Sequence, residues 1–212
     1  MRSVFSLLAG LWLSSCQSLS GISYPSDFHQ YEELRSFKAP PVEDIDGQSY
    51  RLTWHAWHKT PGLILANCNG SDCFIEVRFT DGYGTYSQGD LAGIRKAEIS
   101  RNEFEEIDLA FRVGGFYELK PQLRAAEQYH GLKASENEGE LVICLHAPSY
   151  YLEAFDGSKK HMIYRYCQDN YDDGLRVAMP LIELAERNFP NEMKSIVAVW
   201  IEDERLAEEA VN

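Results

Sequence analysis

The chemistry this sequence offers begins with its thiols. Cys68 and Cys73 flank Asn69-Gly70-Ser71-Asp72, a turn composition that brings two thiols within reach of each other. Cys144 and Cys167 sit in two stretches that read as strands able to lie side by side. Four thiols allow three pairings. The expected pairing is Cys68–Cys73 with Cys144–Cys167. A zinc half-site at Cys68 and Cys73 is the alternative, and a strained one, because the other two cysteines are not a close pair. Trp54-His55-Ala56-Trp57-His58 suggests a metal pair or an aromatic ligand platform. On a strand, residues three apart point to opposite faces, so a half-exposed aromatic strand is the expected reading. Asp169, Asn170, Asp172, Asp173 and Gly174 crowd one loop with oxygen donors for calcium. An EF-hand loop starting at Asp169 would need a carboxylate at its twelfth position, where Pro180 stands, so a solvated turn is expected instead. His29, His130, His146 and His161 are scattered, and the chain has no Gly-x-Ser-x-Gly, phosphate loop or His-Glu-x-x-His. No catalytic residue, metal or cofactor is therefore expected.

The elements that carry these residues show in the hydrophobic periodicity. Cys73, Ile75, Val77 and Phe79 alternate with Phe74, Glu76, Arg78 and Thr80, the period of a strand with one face inward. Asp81-Gly82 then predicts a two-residue hairpin with Val77 opposite Tyr86. Arg51 to Trp57 and Leu63 to Ala66 read as strands around Thr60-Pro61-Gly62. Ser100-Arg101-Asn102-Glu103 is a capping box. Phe104, Ile107 and Phe111 follow at helical spacing, with Glu103, Glu105, Glu106 and Asp108 placing acid in the first turns. Gly114-Gly115 ends that helix. Phe116 to Leu119 reads as a short extended piece, residues 120–139 as a loop, and Leu141 to His146 as a central strand. Tyr150–Phe155 and Lys160–Cys167 form a second predicted hairpin, whose Asp156-Gly157 turn sets Glu153 opposite Lys160. Pro180 suits the first turn of a helix running to about Asn188. Met193, Ile196, Val197, Trp200 and Ile201 suit a final helix, with a strand as the alternative. The fold class is α+β, an antiparallel hairpin-rich sheet with two or three helices packed on one face. On the strand at 160–167, Met162, Tyr164 and Tyr166 share one face, and Ile163, Arg165 and Cys167 the other. Tyr164 and Tyr166, large rings with polar tips, are the candidate partner-binding residues.

The 212 residues carry 20 basic and 33 acidic side chains, a net charge of −13. That sign opposes binding to nucleic acid, which needs clustered Lys and Arg. The N-terminus is different in character. Met1-Arg2-Ser3 supplies a positive charge, Val4 to Leu13 an apolar run too short to span a bilayer, and Leu13-Ser14-Ser15-Cys16 the place for cleavage. These four residues resemble the lipobox of bacterial lipoproteins. The resemblance implies removal of residues 1–15 and lipidation of Cys16, which leaves an even number of cysteines, as suits an exported chain. Gln17 resembles the outer-membrane class in that family, so the expected place is the bacterial envelope, anchored in the outer membrane and facing the periplasm.

The organisation expected is a signal at 1–15, a lipid-anchored tether at 16–48, one α+β domain at 49–201 and an acidic tail at 202–212. Cys68 to Gly89, with its paired cysteines, alternating strand, Asp81-Gly82 and Tyr86, followed by the capped helix and Phe116-Tyr117-Glu118-Leu119, resembles an uncharacterised domain of bacterial envelope proteins. That resemblance implies no known activity. The favoured function is a non-catalytic binding module with an envelope protein partner. The alternatives are a periplasmic hydrolase with a spatially assembled His and acid site, and a structural or assembly lipoprotein.

Overall fold

The computed structural model describes residues 34–55, 60–83, 87, 89–121, 149–165 and 172–196. Six strands form one sheet: β1 (Gln48–His55), β2 (Gly62–Asn69), β3 (Asp72–Thr80), β4 (Leu91–Glu98), β5 (Ser149–Phe155) and β6 (Lys160–Arg165). Their order is β4-β3-β2-β1-β5-β6, and every neighbouring pair is antiparallel. Three α-helices, α1 (Arg101–Val113), α2 (Asp173–Asn188) and α3 (Pro190–Ile196), cover one face. This is the expected α+β arrangement.

Period-two alternation divides the strands between two faces. Tyr50, Leu52 and Trp54 of β1, Ile64 and Ala66 of β2, Ile75 and Val77 of β3, and Leu152 of β5 meet the helices. From α1 come Phe104, Ile107 and Phe111, and from α2 Leu175, Val177, Ala178, Leu181 and Ile182. Met193 and Ile196 complete the layer from α3. On the reverse face Leu63 and Leu65 pack with Leu34 and Phe37. The segment expected to be a tether is therefore part of the domain from Leu34 onward, with Phe37 and Val42 fully buried. A sheet buried on both faces needs a cover on each, and the chain before β1 supplies part of the second, over a face that mixes Leu63 and Leu65 with buried polar side chains such as Arg51 and Glu153.

Helix α1 begins as its sequence dictates. The Ser100 side chain accepts from the Glu103 amide, and the Glu103 carboxylate accepts from the Ser100 amide at 2.8 Å. Gly115, at φ +74°, turns the chain away at the other end. Phe116 to Glu118 then coil into a 3-10 turn rather than an extended piece, because the reversal points the Phe116 ring back onto Phe111, 4.9 Å between centroids. Helix α2 also departs from expectation. It starts at Asp173, not at Pro180, since the Asp172 carboxylate caps the Leu175 amide at 2.9 Å and sets the start seven residues earlier. Pro180 thus lies inside the helix, where the bond it forgoes is to the carbonyl of Arg176, a solvent-exposed residue.

Both long hairpins close with wider loops than two-residue turns. Strand β3 pairs with β4, so Val77 lies opposite Arg95 and not Tyr86. The Asp81 side chain accepts from the Asp90 amide at 2.7 Å, and the Asp81 amide donates to the Asp90 carbonyl at 2.9 Å, pinning the loop base across eight intervening residues. Strand β5 pairs with β6 so that Glu153 faces Met162, not Lys160. There the Asp156 carboxylate collects the amides of Ser158 and Lys159 at 2.9 and 2.7 Å, which builds a four-residue loop. The charge pair survives on the diagonal, with Lys160 Nζ 3.2 Å from Glu153 Oε1. The true two-residue turn is Gly70-Ser71 between β2 and β3, with Gly70 at φ +62°. Residues 141–146 and 197–201 lie outside the described residues, as does Tyr86.

Candidate functional site

The Gly70-Ser71 turn places Cys68 opposite Cys73 in the register of β2 and β3, and the two are joined as a disulfide. Their sulfurs point into the helix-side core, and the Arg101 guanidinium lies over the turn, donating to the Gly70 carbonyl. Cys16, Cys144, Cys167 and Tyr166 lie outside the described residues. Tyr164 is half-buried on the face away from the helices, its ring stacked on buried Tyr151 at 4.5 Å. Ile163 and Arg165 take the opposite face, as the alternation required.

The histidine and acid motifs are absorbed into the framework. Trp54 stacks on Tyr150 at 5.9 Å on the helix side, while His55 is buried on the reverse face with its ring edge to Phe37. His58 lies outside the described residues. Of the candidate calcium loop, Asp172 caps α2 and accepts from the Tyr150 hydroxyl, and Asp173 pairs with Arg176 at 3.2 Å. His161 sits edge-on against Phe116 at 4.9 Å, and burial holds its pKa below the usual value. Among the described residues no group of three or more His, Cys, Asp or Glu is placed to hold a metal ion.

Two buried polar clusters were not among the expected features. Asp108, on the core side of α1, accepts from the Tyr50 hydroxyl, from Gln48 Nε2 at 2.7 Å and from Arg112. Burial, then the Asp108 hydrogen bond, pushes the Tyr50 phenol far above its ordinary value, so it stays a neutral donor. Asp108 is therefore not dipole-stabilising acid of the first turn. Its spacing, four after Phe104 and three before Phe111, was the signal that it faces inward. On the reverse face Arg51 of β1 stands directly across from Glu153 of β5, with Nε to Oε2 at 2.6 Å and both side chains almost wholly buried. Arg51 also donates to the Pro40 carbonyl at 2.6 Å. In both clusters the charged groups already have protein partners, an arrangement that fixes structure.

An open apolar groove lies on the solvent side of α1 and α2. It measures about 520 Å³ and is floored by Ala110, Val177 and Met179, with Leu109 and Val113 along one wall. Gly114 lets the end of α1 approach α2, since a Cβ there would stand 2.6 Å from Val177 Cγ2. Leu109 and Val113 are 55% and 78% exposed, two of the four large apolar side chains that the described residues leave in solvent. They are one helical turn apart and share a face. The rim carries Glu106, Glu183 and the Asp173–Arg176 pair. Such a groove offers apolar contact area, so it can bind.

Comparison of the sequence with models of known protein families finds no match, and none of the curated proteins matches it either.

Proposed function

We propose that the protein is a lipid-anchored component of the bacterial envelope that serves as a non-catalytic binding module. The observation that carries the binding half is the apolar groove between α1 and α2, whose exposed Leu109 and Val113 are isolated from the core that anchors the same helix. The location rests on the sequence Leu13-Ser14-Ser15-Cys16 after an apolar run of signal length. The Cys68–Cys73 disulfide supports it, because such bonds persist in oxidising compartments outside the cytosol. The anchor is the membrane contact, the partner is an envelope protein, and the domain presents its surface to the periplasm. The tyrosine face around Tyr164 is the second surface considered for that partner, and its exposed area is reduced by the stacking on Tyr151.

Two measurements test this. Labelled fatty acid should enter the wild-type protein and not Cys16→Ser, with residues 1–15 missing from the mature chain. Label in both forms, or an intact Met1 in the purified protein, overturns the anchor. A photo-crosslinking residue placed in turn at Leu109 and at Tyr164 should capture an envelope protein from at least one position. Capture at neither overturns the binding module.

A further inference from the structure

We infer that the groove between α1 and α2 takes a basic amphipathic helix from the partner, a reading that rests on the binding function proposed above and gives its site and chemistry. Leu109 and Val113 form an apolar ridge along α1, and Val177 and Met179 continue it across to α2. Two helices lying side by side leave a trough that a third helix fills with side chains at positions i, i+3, i+4 and i+7. The open mouth suits such a ridge of side chains better than an enclosed small molecule.

Charge selects the occupant. Asp173 is neutralised by Arg176 at 3.2 Å. Glu106 and Glu183, one on each wall, have no ion-pair partner among the described residues. Among the described residues the rim thus carries two carboxylates with no paired cation, in a chain of net charge −13. A second copy of this chain would bring acid against acid. The chain's own terminal stretch, with Glu202, Asp203, Glu204, Glu208 and Glu209, has the same sign. A helix with leucines on one face and Lys or Arg flanking them complements both the apolar floor and the rim, and the charge speeds encounter as well as selecting partners.

The probe is a fluorescent model helix of about 18 residues, with leucine on one face and lysine on its flanks, and a twin with glutamate in place of lysine. Binding to the full folded domain is read by anisotropy. The lysine helix should bind and the glutamate helix should not. Leu109→Ser with Val113→Ser should weaken binding by roughly thirtyfold, the loss that truncating a central anchor brings. Glu106→Gln with Glu183→Gln should weaken it by roughly fivefold and flatten its salt dependence, as two rim pairs would. All four side chains lie outside the core, and an unchanged circular dichroism spectrum and melting temperature confirm that the variants fold. Equal binding of both helices, no binding of either, or undiminished binding after the two serine substitutions overturns the inference.

In cells, a photo-crosslinker at Leu109 should capture a segment that mass spectrometry maps to a basic amphipathic helix. Capture of an acidic segment, a lipid chain or a second copy overturns the inference. Capture at Tyr164 with none at Leu109 overturns it too, while leaving the binding module standing. Capture at neither removes both.

Discussion

Arg51 and Glu153 face each other across β1 and β5 with 1% and 0% of their side chains exposed, so each depends on the other for the solvation it has lost. Removing Glu153 leaves the buried Arg51 guanidinium without its carboxylate. Glu153→Ala should therefore destabilise the protein by about 3–5 kcal/mol in urea unfolding. The double substitution Arg51→Met with Glu153→Leu should recover most of that loss, because it removes the wholly buried pair together while Lys160 keeps Glu43 as its carboxylate. An unaltered midpoint for Glu153→Ala would show that the pair is solvated. This pair was not legible from local sequence. Arg51 occupies a place where period-two alternation allows a solvent-facing residue, and only the cover added by residues before β1 turns that face inward. Asp108 was legible in principle, since it recurs at helical spacing with Phe104 and Phe111. Its acidity masked its position, because acid near a helix start has a ready electrostatic explanation that does not extend to the eighth residue.

Among the elements, α1 has the limits and buried face that its local sequence predicts, while the two hairpin loops and the start of α2 differ from expectation. The capping box at Ser100 and the apolar stripe of α1 are local. Phe111 is fully buried and tilted against Tyr50 at 4.3 Å, so Phe111→Ala should cost about 3–5 kcal/mol. Glu105 is exposed on the same helix and its replacement by Ala should cost under about 0.5 kcal/mol. Equal denaturation midpoints for the two variants would mean that the helix presents another face. The loops differ because Asp81-Gly82 and Asp156-Gly157 satisfy two-residue turn chemistry in sequence, whereas the Asp81 side chain draws the Asp90 amide from across a long loop and the Asp156 carboxylate draws the Ser158 and Lys159 amides within a four-residue one. Helix α2 starts earlier than Pro180 alone predicts. Pro180 is the stronger local signal, but Asp172 is the actual cap, held by the Leu175 amide and the Tyr150 hydroxyl together. Asp172→Ala should remove both and lower stability by about 2 kcal/mol, the cap contributing about 1 of it. A loss no greater than that of an exposed control, Glu105→Ala, would show that the cap is replaceable.

At the scale of the whole molecule, the segment before β1 is held across the sheet by charge, and this makes its attachment sensitive to pH. Glu43 lies in the 3-10 turn Val42–Asp44 and reaches Lys160, at the start of β6, at 3.1 Å; Lys160 in turn reaches Glu153. Burial raises the Glu43 pKa, but its own backbone N–H and the Lys160 ammonium outweigh that and hold it below the ordinary 4.5. Burial likewise lowers the pKa of Lys160, and the two carboxylates overcome this to hold it above 10.5. The signs are opposite. The lowered Glu43 contributes stability that is complete above 4.5 and disappears as pH falls through its folded value. The raised Lys160 contributes stability that is complete below 10.5 and disappears as pH rises through its folded value. The segment is thus clamped across the neutral range and released first on the acid side. Glu103 and Asp156 are also held low, the former by the Ser100 backbone and hydroxyl and the latter by the amides of Lys159 and Ser158, so global stability falls in the same direction. Hydrogen exchange separates the local release from the global one. Amides of residues 42–45 should be protected at neutral pH and lose protection as pH falls below the ordinary carboxylate range, after correction for the intrinsic rate, before those of β1 and β5 do. Glu43→Gln should show the released pattern at neutral pH already, with the sheet unaffected. Protection of residues 42–45 that is unchanged by Glu43→Gln, or that vanishes only together with the protection of β1, would show that burial of Val42 alone holds the segment in place.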